Sequence, residues 1–341
     1  MTSRFIHRWA FAALTTLGLC GTAHAADAQT LNFGIISTES SQAQEQLFKP
    51  FLADMAKQTG MTIKPFFATD YAGVIQAMRF NKVDVAWFGN KSAMEAVDRA
   101  GGEIFAQTVA ENGDPGYWSL MIVNKNSPYD NVDQVLDHAS ELTFGNGDPN
   151  STSGYLVPGY YVFAKHGVDA GKAFKRTLNA SHETNALTVA NGQVDVATFN
   201  TESMARLQET HPDAAAKLKV IWKSPLIPSD PIVWRKNLAD TTKTKVRDFF
   251  MNYGKTAEEK QVLASLQWAP FAASSNDQLL PIRQLALFQT RTRVANDEAL
   301  SAEERRTKLA ALDAQLADID KRMAALDATK STAQATANQA G

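Results

Sequence analysis

Apolar residues along this chain fall in short runs separated by amphipathic stretches. LNFGIIS (31–37) is apolar, short and closed by Ser and Thr, the pattern of a buried strand. Residues 43–58 place Leu47, Phe51, Leu52 and Met55 on one face of a helix. MTIKPFFA (61–68) reads as a second strand. DYAGVIQAMRFNKVDVAWFGN (70–90) reads as a turn, a helix over about 72–81 and a strand over 83–88. Strands and helices alternating in this way predict an α/β fold, with a parallel sheet covered by helices.

The unit recurs 111 residues later. Val83-Asp84-Val85-Ala86-Trp87-Phe88 and Val194-Asp195-Val196-Ala197-Thr198-Phe199 agree at five of six positions, and the preceding MRFNK falls opposite VANGQ. VDVA is also a common buried-strand string. The shared helix–strand spacing favours the stronger reading, two similar lobes facing each other, with Tyr71 opposite His182. Open α/β sheets bind ligands at the carboxyl ends of their strands, beside helix N-termini. That rule selects Tyr71, His182 and Asn200-Thr201-Glu202. SLMIVNK (119–125) and PIVWRK (231–236) are expected to cross between the lobes, giving lobe 1 as 26–122 with 232–294 and lobe 2 as 123–231. Beyond residue 294, Leu309, Leu312, Leu316, Ile319, Met323 and Leu326 form a heptad seam. It could join a second subunit as a homodimer or pack on its own lobe. The tail from Lys330 is expected to fray.

The N-terminus has a targeting pattern. Arg4, His7 and Arg8 precede the apolar run Phe11–Cys20, and Ala23-His24-Ala25 offers a small-x-small site, so cleavage is expected before Ala26. Leu19 stands where a lipoprotein signal needs a small residue before Cys20, which disfavours acylation. Losing residues 1–25 removes the only cysteine and leaves 32 basic against 36 acidic residues, a formal charge of −4. Neither a disulfide nor a thiolate metal site is then available. No global basic excess points to nucleic acid. A periplasmic protein is the expectation.

The richest stretch is LTFGNGDPNSTSGYLVPGYYVFAKHG (142–167). A strand, a turn dense in breakers and a helix opening at Ser-Thr-Ser-Gly follow one another. Ser151, Thr152 and Ser153 therefore sit where backbone N–H groups lack intrahelical partners and the dipole is positive. Ordinary N-capping accounts for one such hydroxyl. Three in succession form a charge-neutral cradle suited to a tetrahedral oxyanion, with Gly154 keeping the first turn clear. No Gly-Lys-Ser/Thr is present, which argues against a nucleotide loop. Ser151 and His182 with an acid such as Asp230 could form a catalytic set, but no Gly-x-Ser-x-Gly elbow supports it. His138, His166 and His211 lack zinc-motif spacing and read as surface residues. No catalysis, metal or cofactor is expected.

LNFGIISTES, ATDYAGVIQAMRFNKVDVAWFGN, DPGYWSL, FGNGDPNSTSGYLVPGYYVFAK, HETNALTVANGQVDVATFNTE and WKSPLIPSDPIVWRK closely resemble the periplasmic phosphonate-binding proteins of phosphonate ABC importers, from about residue 30 to 290. The resemblance implies a two-lobed, type II solute-binding fold with two crossing strands, no enzymatic activity, and an importer permease with its ATPase as partners. It implies Tyr71, Tyr117, Ser151, Thr152, Ser153 and His182 as phosphonate ligands. It further implies Glu202 and Asp230 for the amino end of an aminophosphonate such as 2-aminoethylphosphonate. Acids at the far end would disfavour the alternatives, phosphate, phosphite or another phosphorus oxyanion. His182 could exchange a proton with the anion. Phe88 stands where Tyr is expected and Phe199 where a polar residue could sit, which touches selectivity. Trp87, Trp118 and Tyr160 are expected to pack rather than bind.

Overall fold

The computed structural model describes residues 29–339, so the expected signal peptide and cleavage before Ala26 lie outside the described residues. Thirteen strands form two mixed sheets and a ribbon. They are β1 (Thr30–Ile35), β2 (Thr62–Phe67), β3 (Val85–Trp87), β4 (Gly102–Ala110), β5 (Gly116–Tyr117), β6 (Ser119–Asn124) and β7 (Thr143–Asn146). Then follow β8 (Arg176–Asn179), β9 (Val196–Asn200), β10 (Leu218–Lys223), β11 (Ile227–Pro228), β12 (Pro231–Arg235) and β13 (Trp268–Ala273). The first sheet runs β13-β4-β12-β3-β1-β2 and the second β10-β6-β9-β7-β8. The expected parallel pairing holds for β2-β1-β3 and β8-β7-β9, and antiparallel strands complete each sheet.

The internal repeat extends to single hydrogen bonds. Helices Tyr71–Arg79 and His182–Ala190 begin 111 residues apart, capped by Asp70 and Ser181, and so do the following helices Asn90–Arg99 and Thr201–Thr210. Asp84 accepts from Asn32 N at 2.8 Å, and its counterpart Asp195 accepts from Thr143 N at 2.7 Å, again with an offset of 111. The two lobes therefore present equivalent strand ends and helix N-termini.

The crossing segments lie elsewhere than expected. β6 belongs wholly to the second sheet and β12 wholly to the first. The chain passes between sheets at the β5–β11 ribbon, where Gly116 packs so tightly that a Cβ would overlap Ile227 O. The runs 119–125 and 231–236 are apolar because they are buried inside sheets, a pattern that a connecting strand also shows.

Beyond the sheets, helices Leu280–Ala295 and Ala302–Gln339 form a hairpin. Arg291–Asp313 (2.6 Å) and Gln284–Asp320 (2.6 Å) pin it, with Leu316 and Ile319 buried between the helices. The heptad seam thus packs on its own chain. Backbone helicity continues to Gln339, past the Lys330 start of the tail expected to fray, in an Ala-rich stretch of high helix propensity. Helix Leu280–Ala295 also touches both lobes: Arg283 pairs with Asp98 at 2.6 Å, and Phe288 stacks on Tyr160 at 5.8 Å. No helix among the described residues is long and apolar enough to cross a membrane.

Candidate functional site

The Ser-Thr-Ser turn opens an unusually wide helix. Ser151 is its N-cap, and its Oγ accepts from Gly154 N at 2.9 Å. Leu156 N reaches back five residues to Ser151 O at 3.2 Å, so the first turn is π-like. Pro158 explains part of this, because it lacks the N–H that would have bonded Gly154 O in an α-helix. Gly147 N supplies that bond instead, at 3.0 Å. Gly147 must be glycine, since a Cβ there would lie 2.6 Å from the Gly154 backbone.

Each hydroxyl of the turn is buried, at 2 % exposure. The N-capping alternative holds for Ser151 alone. Thr152 Oγ1 accepts from Lys91 N at 2.9 Å, and Ser153 Oγ accepts from Asn200 Nδ2 at 3.1 Å. All three oxygens are engaged as acceptors, which leaves the Thr152 and Ser153 protons to point at an anion, while Ser151 also meets His182 and Tyr71. Tyr71 begins helix Tyr71–Arg79 in the other lobe, and its phenol reaches Ser151. Burial, reinforced by Asp230, pushes its pKa well above the ordinary value, which keeps it a neutral donor.

His182 occupies the equivalent helix start in the second lobe. Its Nε2 lies 3.5 Å from Ser151 Oγ, and its Nδ1 is buried without a partner. Burial pulls its pKa down to about 4. At neutral pH the ring is therefore neutral and carries one N–H.

Acids line the same cavity. Asp230, between β11 and β12, accepts from Tyr117 Oη at 3.0 Å and Asn90 Nδ2 at 3.4 Å. Tyr117, expected with the phosphonate donors, has thus given its hydroxyl to the acid end. Trp87 Nε1 has no hydrogen bond of normal geometry, yet it faces Asp230 closely enough to favour its charge. Glu202 stands in the first turn of helix Thr201–Thr210. Glu39, which the sequence reading missed, joins them after β1, accepting from Thr38 Oγ1 at 2.5 Å and Gln44 Nε2 at 3.3 Å. Burial raises the pKa of all three acids; Glu202 reaches about 7, with added repulsion from Glu39, and Asp230 is raised further by repulsion from Glu202. Arg206, one helical turn after Glu202, opposes part of this through its positive charge.

All eight residues singled out from sequence (Tyr71, Tyr117, Ser151, Thr152, Ser153, His182, Glu202 and Asp230) line one cavity of about 60 Å³, with Glu39, Trp87, Arg206 and Gln267. That space corresponds to roughly four to six water positions, enough for a small molecule. Phe88 and Phe199 do not reach it: both are fully buried in the cores, Phe199 with its ring edge toward His182. Trp87 lines the cavity as well as packing on Phe48 and Trp268, whereas Trp118 sits under Lys223 and Tyr160 on Phe288. Lobe-to-lobe bonds from Lys91 N to Thr152 Oγ1, Tyr71 N to Asp148 Oδ2 (3.1 Å) and Ser40 N to Glu183 Oε2 (2.9 Å) hold the cleft shut. Among the described residues no cluster of His, Cys, Asp or Glu is arranged to hold a metal.

The buried groups set opposite pH dependences. Glu202, raised from 4.5 to about 7, contributes stability that is full below pH 4.5 and lost as pH rises through about 7. His182, lowered from 6.5 to about 4, contributes stability that is full above pH 6.5 and lost as pH falls through about 4. In urea unfolding, Glu202→Gln should make unliganded stability climb more steeply with pH between 4.5 and 6.5 than in the native chain. Parallel profiles would contradict this burial.

Two sheets around a closed, polar cavity, joined by a short ribbon, define a two-lobed solute-binding protein of the type II periplasmic class. The family model for the periplasmic substrate-binding proteins of phosphonate ABC transporters matches residues 33–279, and the chain belongs to that family. The Escherichia coli K12 phosphonates-binding periplasmic protein is 58 % identical over 337 residues, covering 98 % of this chain and 99 % of that one. The structure of a Pseudomonas aeruginosa ABC phosphonate transporter binding component superposes with a TM-score of 0.87 at 67 % identity, covering 88 % of this chain and 100 % of that one. A Prochlorococcus marinus protein in complex with methylphosphonate shares the fold at 23 % identity and a TM-score of 0.67, over 76 % of this chain and 97 % of that one. This chain is accordingly a phosphonate-binding component of an ABC transporter and not an enzyme.

Proposed function

We propose that the chain captures aminoalkylphosphonates, 2-aminoethylphosphonate being the type, in the periplasm and delivers them to an importer permease and its ATPase. Ser151, Thr152, Ser153, Tyr71 and His182 take the phosphonate oxygens. Glu202 and Asp230, with Tyr117 and Glu39 behind them, take the ammonium. The observation that carries this reading is the mixed lining of the cavity, which brings neutral donors together with three acids whose pKa values burial raises. Neutral donors accept a phosphonate in either protonation state. Acids that burial makes reluctant to ionise regain their charge when a cation arrives. Because the donors come from both lobes, ligand stabilises the closed form.

Calorimetry with 2-aminoethylphosphonate, methylphosphonate, phosphate and phosphite tests the proposal. The aminophosphonate should bind most tightly. Phosphate binding at least as tightly would overturn it. Thr152→Ala should weaken every phosphonate by about 1–3 kcal/mol, the value of a hydrogen bond to a charged group. Unchanged affinity in that variant and in the Ser151→Ala and Ser153→Ala variants would remove the cradle from the binding site.

A further inference from the structure

Gln267 is one of two non-glycine residues among those described with a left-handed backbone, at φ 61°. It directly follows Leu266, the C-cap of helix Ala257–Ser265, a position where helices ordinarily place glycine because a Cβ is strained there. Its backbone is pinned on both sides: Gln267 N donates to Ala264 O at 2.8 Å, and Gln267 O accepts from Glu111 N at 3.1 Å. A strained residue held this firmly points to a use for its side chain.

That side chain crosses the cleft. With its amide nitrogen toward the second lobe, the Gln267 carboxamide donates to Glu202 O and accepts from Arg206 N, each at 3.1 Å. It clips onto a single turn of helix Thr201–Thr210, the turn that carries Glu202. Beside it Arg206 Nη1 donates to Ser265 O at 2.7 Å. Ser265 O is one of the last carbonyls of its helix, which lack intrahelical partners and lie at the negative end of the dipole. None of these bonds uses ligand.

We propose that Gln267 and Arg206 form a clasp between the lobes that favours closure whatever the ligand, so that Gln267 sets affinity without selecting among phosphonates. The proposal rests on the hinge closure described above. Apparent affinity scales with the population of the closed form, so loss of the clasp lowers it by one common factor. Gln267→Gly removes the carboxamide and relieves the backbone strain together. Gln267→Asn keeps an amide and tolerates the left-handed backbone, but is one methylene too short to cross.

The experiment measures calorimetric affinity for 2-aminoethylphosphonate and methylphosphonate, unliganded thermal stability, and the radius of gyration with and without ligand. Gln267→Gly should hold or raise the unliganded Tm while both affinities fall by the same factor, about 5-fold to 100-fold for two lost hydrogen bonds. Gln267→Asn should show the same common loss. Native affinity in both variants would overturn the clasp, and so would a loss confined to the amino ligand, which would make Gln267 a ligand contact. A native protein whose radius is unchanged by saturating ligand would instead overturn hinge closure, and the clasp with it.

Discussion

Changing Glu202 to Gln and Asp230 to Asn together should weaken 2-aminoethylphosphonate by roughly 2–5 kcal/mol, the cost of stripping a desolvated ammonium of its partners. Methylphosphonate should bind as well as before or better, because it has no cation and meets a less acidic wall. The asymmetry follows from geometry. Both acids line the cavity, and both are held in a state that resists ionisation by burial and by a neighbouring carboxylate, Glu39 for Glu202 and Glu202 for Asp230. An ammonium relieves that repulsion, and neutral amides cannot replace its attraction. Glu39 stays in place in the double variant, which keeps the expected loss below the full value of the acid end. Equal losses for the two ligands, read by calorimetry, would assign both acids to the fold.

Phe51→Ala should destabilise the protein by about 3–5 kcal/mol, the range for truncating a buried aromatic. Phe51 is fully buried, and its ring meets those of Phe33, Phe249, Phe250, Tyr253, Trp268 and Phe271 at centroid distances of 5.4–6.3 Å. The residues around it belong to β1, to helix Asp240–Asn252 and its C-cap, and to β13, so no single element can shift to fill the hole. Denaturant unfolding should report the loss, while phosphonate affinity of the folded fraction stays native. A loss under 1 kcal/mol would mean that the cluster collapses around the smaller side chain.

Much of this arrangement was legible in residue order, for reasons that differ by residue. Ser151, Thr152 and Ser153 announced themselves because three hydroxyls after a breaker-rich turn exceed what capping needs. Tyr71 and His182 came from the repeat, whose shared spacing the structure carries down to Asp84 and Asp195. Tyr117 had no local signal, and only the family resemblance raised it; Asp230 came up first as a possible catalytic acid, and only the resemblance made it a ligand residue. Glu39 follows β1 at a strand's carboxyl end, so the rule that found Glu202 could have found it; a lone acid in a Ser-Thr turn resembles a solvated loop. Arg206 sits one turn after Glu202 on a helix that reads as surface. Gln267 was beyond reach, because nothing in a sequence marks a glutamine whose backbone has been forced into a glycine conformation by distant contacts. The crossing points were misplaced because apolar runs do not distinguish a strand inside a sheet from one leaving it.

The cradle contains hydroxyls, a phenol and a neutral imidazole where an anion site elsewhere might hold arginine or lysine. Its consequence lies in time rather than in strength. A phosphonate approaching this chain meets a protein of net negative charge, so no long-range attraction hurries its arrival. Encounter proceeds at the pace of unassisted diffusion, and discrimination falls to how long the guest stays once the lobes have met around it.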